Sequence, residues 1–182
     1  DYSYFMSTSG QSVEKVDYRL KLDNVSFKGT DNQNVQVYQF QYDNTRLPRY
    51  FEPGNSSAGY DVKNNSQDLW GYFNGKSNNN MVVFPPGKTF NFSIADRSSS
   101  EGYMKACILE KITFPTGGYT EFQTEANRNA ANKIVGGLRI AKIISKPDSN
   151  SQEVVETFRY SDAYEIYAPD SDQYNYSMYC VT

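Results

Sequence analysis

The chain has 182 residues, enough for one domain with its own core. Its apolar fraction is only 38% while aromatics reach 15%, a mixture that excludes disorder and suits half-buried pleated sheets. A net charge of −3 with no polybasic run excludes a nucleic-acid backbone as partner, and no apolar run is long enough for a membrane-spanning helix.

Tyr2-Ser3-Tyr4-Phe5 reads as a strand, and a chain that opens inside a strand points to a processed or excised product. From Asp17 to Asp23 apolar and polar residues alternate strictly, with Tyr18, Leu20 and Leu22 on one face and Arg19, Lys21 and Asp23 on the other. Period two marks an antiparallel strand with one wet side. The turn-rich stretch Lys28 to Asn34 follows, and a return strand from Val35 to Asp43 places Tyr38, Phe40 and Tyr42 together. Residues 48–80 form an irregular insertion rich in Gly, Asn and Ser, interrupted by the aromatic island Leu69-Trp70-Gly71-Tyr72-Phe73-Asn74-Gly75-Lys76. Asn74-Gly75 within it is a type I′ turn signature. Met81 to Phe84 and Thr89 to Ile94 read as short strands around Pro85-Pro86-Gly87.

Ser98 with Glu101 has the spacing of a capping box and predicts one helical turn over Glu101 to Ala106. The strand from Cys107 to Phe114 then turns back through Pro115-Thr116-Gly117-Gly118 into Tyr119 to Glu125. Proline presets the first corner of such a turn, and Gly117 and Gly118 permit the positive φ it needs. Ala126 to Lys133 is weakly helical in pattern, since three asparagines oppose it. Gly136-Gly137 opens a strand from Leu138 to Ser145 that is apolar on both faces and therefore central in a sheet. Lys146 to Ser151 is a loop, Val154 to Tyr160 is the partner strand, and the aromatic tail beyond Asp162 adds an edge strand or packs over the sheet.

Three hairpin units thus recur, over about 17–43, 107–125 and 137–161, and one such unit cannot bury its apolar face without neighbours. Leu109-Glu110-Lys111-Ile112, the Pro-x-Gly turn and Tyr119-Thr120-Glu121-Phe122 together resemble the YD-repeat of rearrangement-hotspot (RHS) proteins. A longer series resembles large RHS-like secreted bacterial proteins. It runs Leu69 to Lys76, Ala95-Asp96-Arg97-Ser98, Tyr103-Met104-Lys105-Ala106, Pro115 to Phe122 and Gly136-Gly137-Leu138-Arg139-Ile140. The resemblance covers Val16 to Asp162 and implies a hairpin strip of the kind that, in full-length RHS proteins, winds into a hollow β shell around cargo. Such shells need several times this length, so the chain would supply a segment of wall. The long irregular gap between its first two units departs from a tandem repeat and favours a compact sheet-based domain. The family carries no catalytic residues that map onto this chain.

Chemistry is sparse in the sequence. No histidine occurs, which removes His-based triads, His-ligated zinc and the usual near-neutral acid or base. No phosphate-cradling glycine loop is present, and Asp170-Ser171-Asp172 lacks the ligand series of a calcium loop. No cofactor or metal is expected. Arg46, Arg49, Tyr50 and Phe51 mimic a single-strand nucleic-acid platform, but the acidic balance makes them a solvated loop. Cys107 and Cys180 either pair, closing a loop worth about 4 kcal/mol, or act as two buried thiols. Trp70, the one tryptophan, would share a strand face with Tyr72, with Asn74 alongside. A flat aromatic pair beside an amide suits stacking on a sugar ring, whereas a buried Trp70 would simply anchor the irregular region to the core.

The expectation is a single all-β domain over 1–182, built of antiparallel hairpins in twisted sheets, as an RHS-like wall segment or β-sandwich-like, with at most one or two short helices. Its function is that of a non-enzymatic structural module of a secreted or cell-surface bacterial protein. Its partners are neighbouring hairpin units of a parent protein or further copies of itself. The alternatives are a glycan- or host-surface-binding module using Trp70 and Tyr72, and a hydrolase working with carboxylates alone.

Overall fold

The computed structural model describes residues 1–7, 18–49, 51–52, 62–63, 65–78, 95–129, 132–160, 164–166 and 178–180. The protein is all-β: strands are antiparallel, and the one α-helix, α1 (Glu101–Met104), is a single turn. By proximity the chain divides into two compact units, one of Asp1–Tyr50, Lys105–Glu125 and Arg139–Arg159, the other of Phe51–Met104, Ala126–Leu138 and Tyr160–Thr182.

The first unit is organised by a six-stranded meander. In chain order its strands are β3 (Asn24–Lys28), β4 (Asn34–Tyr42), β7 (Leu109–Thr113), β8 (Gly117–Arg128), β9 (Ile134–Asp148) and β10 (Val154–Thr157). Their order across the sheet, β10-β9-β8-β7-β4-β3, is simply the reverse. The three hairpins foreseen from sequence therefore lie side by side, in register at Val25↔Tyr38, Ile112↔Thr120 and Thr157↔Lys142. β1 (Tyr2–Phe5) and β2 (Arg19–Leu22) form a separate ladder through Tyr2↔Leu22 and Tyr4↔Leu20. Leu20 and Leu22 thus pair with the first strand of the chain, and only from Asp23 onward does the segment join β4, where the Phe40 amide donates to the Asp23 carbonyl at 2.9 Å.

Register assigns each side chain to a face, because directly opposed residues share one. Val25, Phe27, Tyr38, Phe40, Ile112, Phe114 and Thr120 occupy one side; Gln39, Gln41, Lys111, Thr113, Tyr119 and Glu121 occupy the other. Phe27, Tyr38 and Phe114 run edge-on along the aromatic side, with ring centroids 6.1 and 6.2 Å apart. On the polar side the Lys111 ammonium sits 3.8 Å from the Tyr119 ring centroid, and the Tyr119 hydroxyl donates to Glu153. Among the described apolar residues of this unit none is fully buried.

Turn chemistry explains the corners. Asp31 Oδ1 accepts from the Gln33 amide, and Asn32 takes φ 64° where the chain reverses between β3 and β4. Gly117 takes φ 80° in the β7–β8 turn. Asp148 holds the β9–β10 turn by accepting from the amides of Asn150 and Ser151 and from the Ser151 hydroxyl. The stretch from Ala126, weakly helical in pattern, is strand instead: β8 continues to Arg128, and the Asn132 amide then donates to the Asn129 carbonyl in a turn. Two of its asparagines serve that turn, Asn129 Oδ1 accepting from the Lys133 amide and Asn132 taking φ 59°.

The second unit contains the apolar residues that are fully buried among those described: Ala95, Met104, Ala126 and Val135. α1 begins with the Ser100 carbonyl accepting from the Met104 amide, so Ser100, not Ser98, occupies the cap position. Ser98 is instead held by Asp96, and Glu101 forms an ion pair with Arg128 at 2.9 Å. Two short ladders complete the description, β5 (Phe51–Glu52) with β6 (Val62–Lys63) and β11 (Tyr164–Ile166) with β12 (Met178–Cys180). The short strands foreseen at Met81 to Phe84 and Thr89 to Ile94, and the Asp170-Ser171-Asp172 turn, lie outside the described residues. No described helix is long and apolar enough to cross a membrane.

Candidate functional site: an aromatic turn laid on two glycines

Asp68-Leu69-Trp70-Gly71 is a tight turn, not a strand. The Gly71 amide donates to the Asp68 carbonyl at 3.2 Å, and Gln67 bridges Phe73 across the turn. Asp68 is fully buried and organises the loop from below. Its Oδ1 accepts from the amides of Trp70 and Tyr72, both at 2.9 Å, and its Oδ2 accepts from the Ser99 hydroxyl at 2.7 Å. The Arg97 guanidinium donates to the carbonyls of Gln67 and Asp68. The loop is thereby fixed through charge-assisted hydrogen bonds.

Trp70 and Tyr72 are each 42% exposed. They lie over successive glycines of β9, Gly136 and Gly137, which take φ 68° and 72°. A Cβ added at Gly136 would stand 2.6 Å from the Trp70 ring, and one at Gly137 would stand 2.9 Å from the Tyr72 hydroxyl. Only glycine combines that backbone with that approach. The Asn127 side chain donates to the Gly136 carbonyl at 2.9 Å and fixes the floor.

Asn74 is not part of this surface. It is fully buried, its Nδ2 donates to the carbonyls of Asp96 and Ser98 at 3.0 and 3.1 Å, and its Oδ1 accepts from the Lys76 amide. Asn74-Gly75 is therefore no type I′ turn: Gly75 alone takes positive φ, at 70°, beneath the Tyr103 ring. Asn78 and Asp96 add a second clasp, the Asp96 amide donating to Asn78 Oδ1 at 2.8 Å.

Asp96 itself accepts from the Ser98 hydroxyl and amide and faces Lys76 at 3.1 Å, and these partners hold its carboxyl down at about 2. A depressed carboxylate contributes stability above its unfolded value, near 3.8, and loses it as pH falls through the folded value. The melting-temperature gap between wild type and Asp96→Asn is accordingly expected to be widest above about pH 4 and to close by about pH 2. A gap unchanged over that window counts against the Ser98 and Lys76 contacts.

The remaining foreseen residues are placed as follows. Pro115, Gly117 and Gly118 form the β7–β8 corner, in the first unit. Cys107 carries a free thiol, and the side chain of Cys180 lies outside the described residues. It sits at φ 63° after α1, donates to the Thr45 carbonyl at 3.5 Å, and burial pushes its pKa up. Arg49 is buried and Arg46 exposed, while Tyr50 lies outside the described residues.

On the polar side of the meander an open hollow of about 540 Å³ is lined by Gln41, Lys105, Glu110, Lys111 and Glu121 among others. Burial, then the nearby Asp43 and Glu121 carboxylates, raises the Glu110 pKa. Two ammonium groups share the lining with the two carboxylates. Among the described residues no group of three or more acidic or cysteine side chains could hold a metal ion.

No family model, no curated protein and no solved structure matches this chain. The class established is that of an all-β protein built on an antiparallel hairpin meander.

Proposed function

We propose that this chain is a non-enzymatic structural module of a secreted or cell-surface bacterial protein, a segment of an RHS-like hairpin wall. One observation carries the reading. Three hairpins stand edge to edge in a single sheet, and in that unit Val25, Phe27, Tyr38, Phe40, Ile112 and Phe114 line one side without any of them being fully buried. A sheet with an aromatic side left half-covered is stabilised by whatever continues or covers it. Wall segments are of this kind. The residues that shape the meander are turn formers and paired rings, with no reacting group among them.

A second reading, adhesion to a glycan, draws on Trp70, whose ring rests on Gly136 and remains 42% exposed. A rigid, half-open indole is suited to stacking on a sugar face. As the one tryptophan of the chain, it also reports on its own surroundings by fluorescence.

One variant separates the two. For a wall module, Trp70→Ala lowers stability by about 1–2 kcal/mol through lost packing on Gly136. In that case the wild-type chain self-associates with rising concentration, and no saccharide changes Trp70 emission. A monomer that binds a saccharide through Trp70, and loses that binding in Trp70→Ala at unchanged melting temperature, replaces the wall reading with adhesion.

A further inference from the structure

The two edges of the meander are not equivalent. In β3 the Phe40 amide bonds to Asp23, directly opposite it, so Asn24 and Ser26 turn their backbone groups outward. Asn24 is already occupied: its carbonyl accepts from the Asp1 ammonium at 2.9 Å and its amide donates to the Asp1 carbonyl at 3.3 Å. The ladder is also bulged between Phe27 and Lys28. A bulge, a lysine and a covered end are the ways in which edges are blunted. Among the described residues β10 shows no bulge, no lysine and no covered end, and its one charge is Glu156. It reads Val154-Val155-Glu156-Thr157, runs in unbroken register with β9, and exposes all four side chains, with Val154 at 57% and Val155 at 53%.

The same reasoning gives the direction of the β10 backbone. The Phe158 amide donates to the Ala141 carbonyl at 3.0 Å, and the register Thr157↔Lys142 makes these two residues directly opposed. Phe158, Glu156 and Val154 therefore bond inward to β9, while Val155 and Thr157 point their amides and carbonyls away from the sheet.

We infer that β10 is a docking edge for the β10 of a second copy, paired antiparallel with Val155 on the two-fold axis. Self-pairing must oppose outward residues, and among the pairings of Val155 and Thr157 that leaves three registers. Setting Val155 against Thr157 of the second copy would place Glu156 opposite Glu156, a like-charge contact in an antiparallel pair. Setting Thr157 against itself would place Val155 opposite Arg159 and carry the pairing beyond β10. With Val155 against itself, Glu156 faces Val154 and Glu153, one residue beyond β10, faces Thr157, and every contact off the axis is made twice, as an isologous interface requires. Val154 shares the side of Ser145, whose hydroxyl lies 3.4 Å from that of Thr120, so the aromatic side would continue into the second copy with Glu156, two residues on, carried on that same side. This specifies how the self-association expected of a wall module begins, and in that sense it rests on the reading above.

The full chain, followed by sedimentation velocity over a concentration series, is expected to form dimers. Val155→Lys should weaken dimerisation at least tenfold by setting two ammonium groups face to face. Its melting temperature should be that of the wild-type monomer, because the side chain is exposed. A second pair of variants tests the register. Val155→Cys would bring opposed Cα atoms to about 5.5 Å, within disulfide reach, whereas Thr157→Cys would leave them roughly 14 Å apart. Mild oxidation should therefore cross-link Val155→Cys and leave Thr157→Cys at the wild-type level set by the native cysteines. Dimerisation undiminished in Val155→Lys, or equal cross-linking of the two cysteine variants, overturns the β10 pairing and leaves the wall reading standing. A wild-type chain that stays monomeric throughout overturns both.

Discussion

Gly118→Ala is expected to be among the most damaging single-methyl changes in the sheet, lowering stability by about 3 kcal/mol in urea denaturation. Gly118 is buried at the start of β8, where its carbonyl accepts from the Phe114 amide at 2.8 Å to close the β7–β8 corner. A Cβ there would stand 2.2 Å from the Lys146 carbonyl oxygen and 2.3 Å from the Pro147 carbonyl carbon and oxygen. These are backbone atoms of β9, and no side-chain rotation relieves the overlap. The seam between the second and third hairpins has to part, and close-packed interiors do not absorb such a shift cheaply. Gly102→Ala is the matched control. It adds the same methyl to an exposed position of α1 with nothing within 4 Å, so removing a helical glycine should be neutral or stabilising by up to about 1 kcal/mol. Gly118→Ala within about 1 kcal/mol of wild type would mean that the β8–β9 seam does not approach this closely.

The meander was legible because its signals are local and periodic. Alternation over Val35 to Tyr42, the Pro115 to Gly118 corner and the matched apolar positions of Ile112 and Phe114 each report on a strand and its immediate partner. The partner of Leu20 and Leu22 was not legible in the same way. Alternation places these residues on a strand face, but nothing in it says that Tyr2 and Tyr4, not β4, lie opposite. Asn129 and Asn132 were misleading for a related reason. A short polar stretch with low helix propensity is equally a turn, and the ladder of β8 decides the matter by running straight through Ala126.

In the second unit the aromatic island was visible in sequence but its geometry was not. Trp70 and Tyr72, two apart, read as neighbours on one strand face. They do come together, but through a turn and by resting on Gly136 and Gly137, more than sixty positions away. Asn74 illustrates the limit more sharply. An asparagine before a glycine reads as a turn tip, yet its amide is turned inward to Asp96 and Ser98, residues whose proximity no local pattern encodes. Asp68 could have been found. In Asp68-Leu69-Trp70-Gly71 an aspartate stands first and a glycine fourth, the type I turn signature, and the side chain caps the turn accordingly.

Asp68→Ala is expected to cost about 3 kcal/mol and to release Trp70. The substitution removes a carboxylate that satisfies two backbone amides and one hydroxyl while itself fully buried. Orphaned buried donors cost about 1–3 kcal/mol each when no water reaches them. Asp68→Asn is the informative companion. It keeps the Oδ1 acceptor for both amides and leaves an amide nitrogen facing Ser99, whose hydroxyl can reverse its role and accept, so the loss should be near 1 kcal/mol. Trp70 fluorescence reads the local consequence directly. In Asp68→Ala its emission should shift to the red and become more readily quenched by iodide, while Asp68→Asn stays close to wild type. If both variants instead lose the same stability and leave Trp70 emission unchanged, the ring is held by Gly136 and its own packing alone. The hydrogen bonds beneath the turn would then support the unit without positioning the platform.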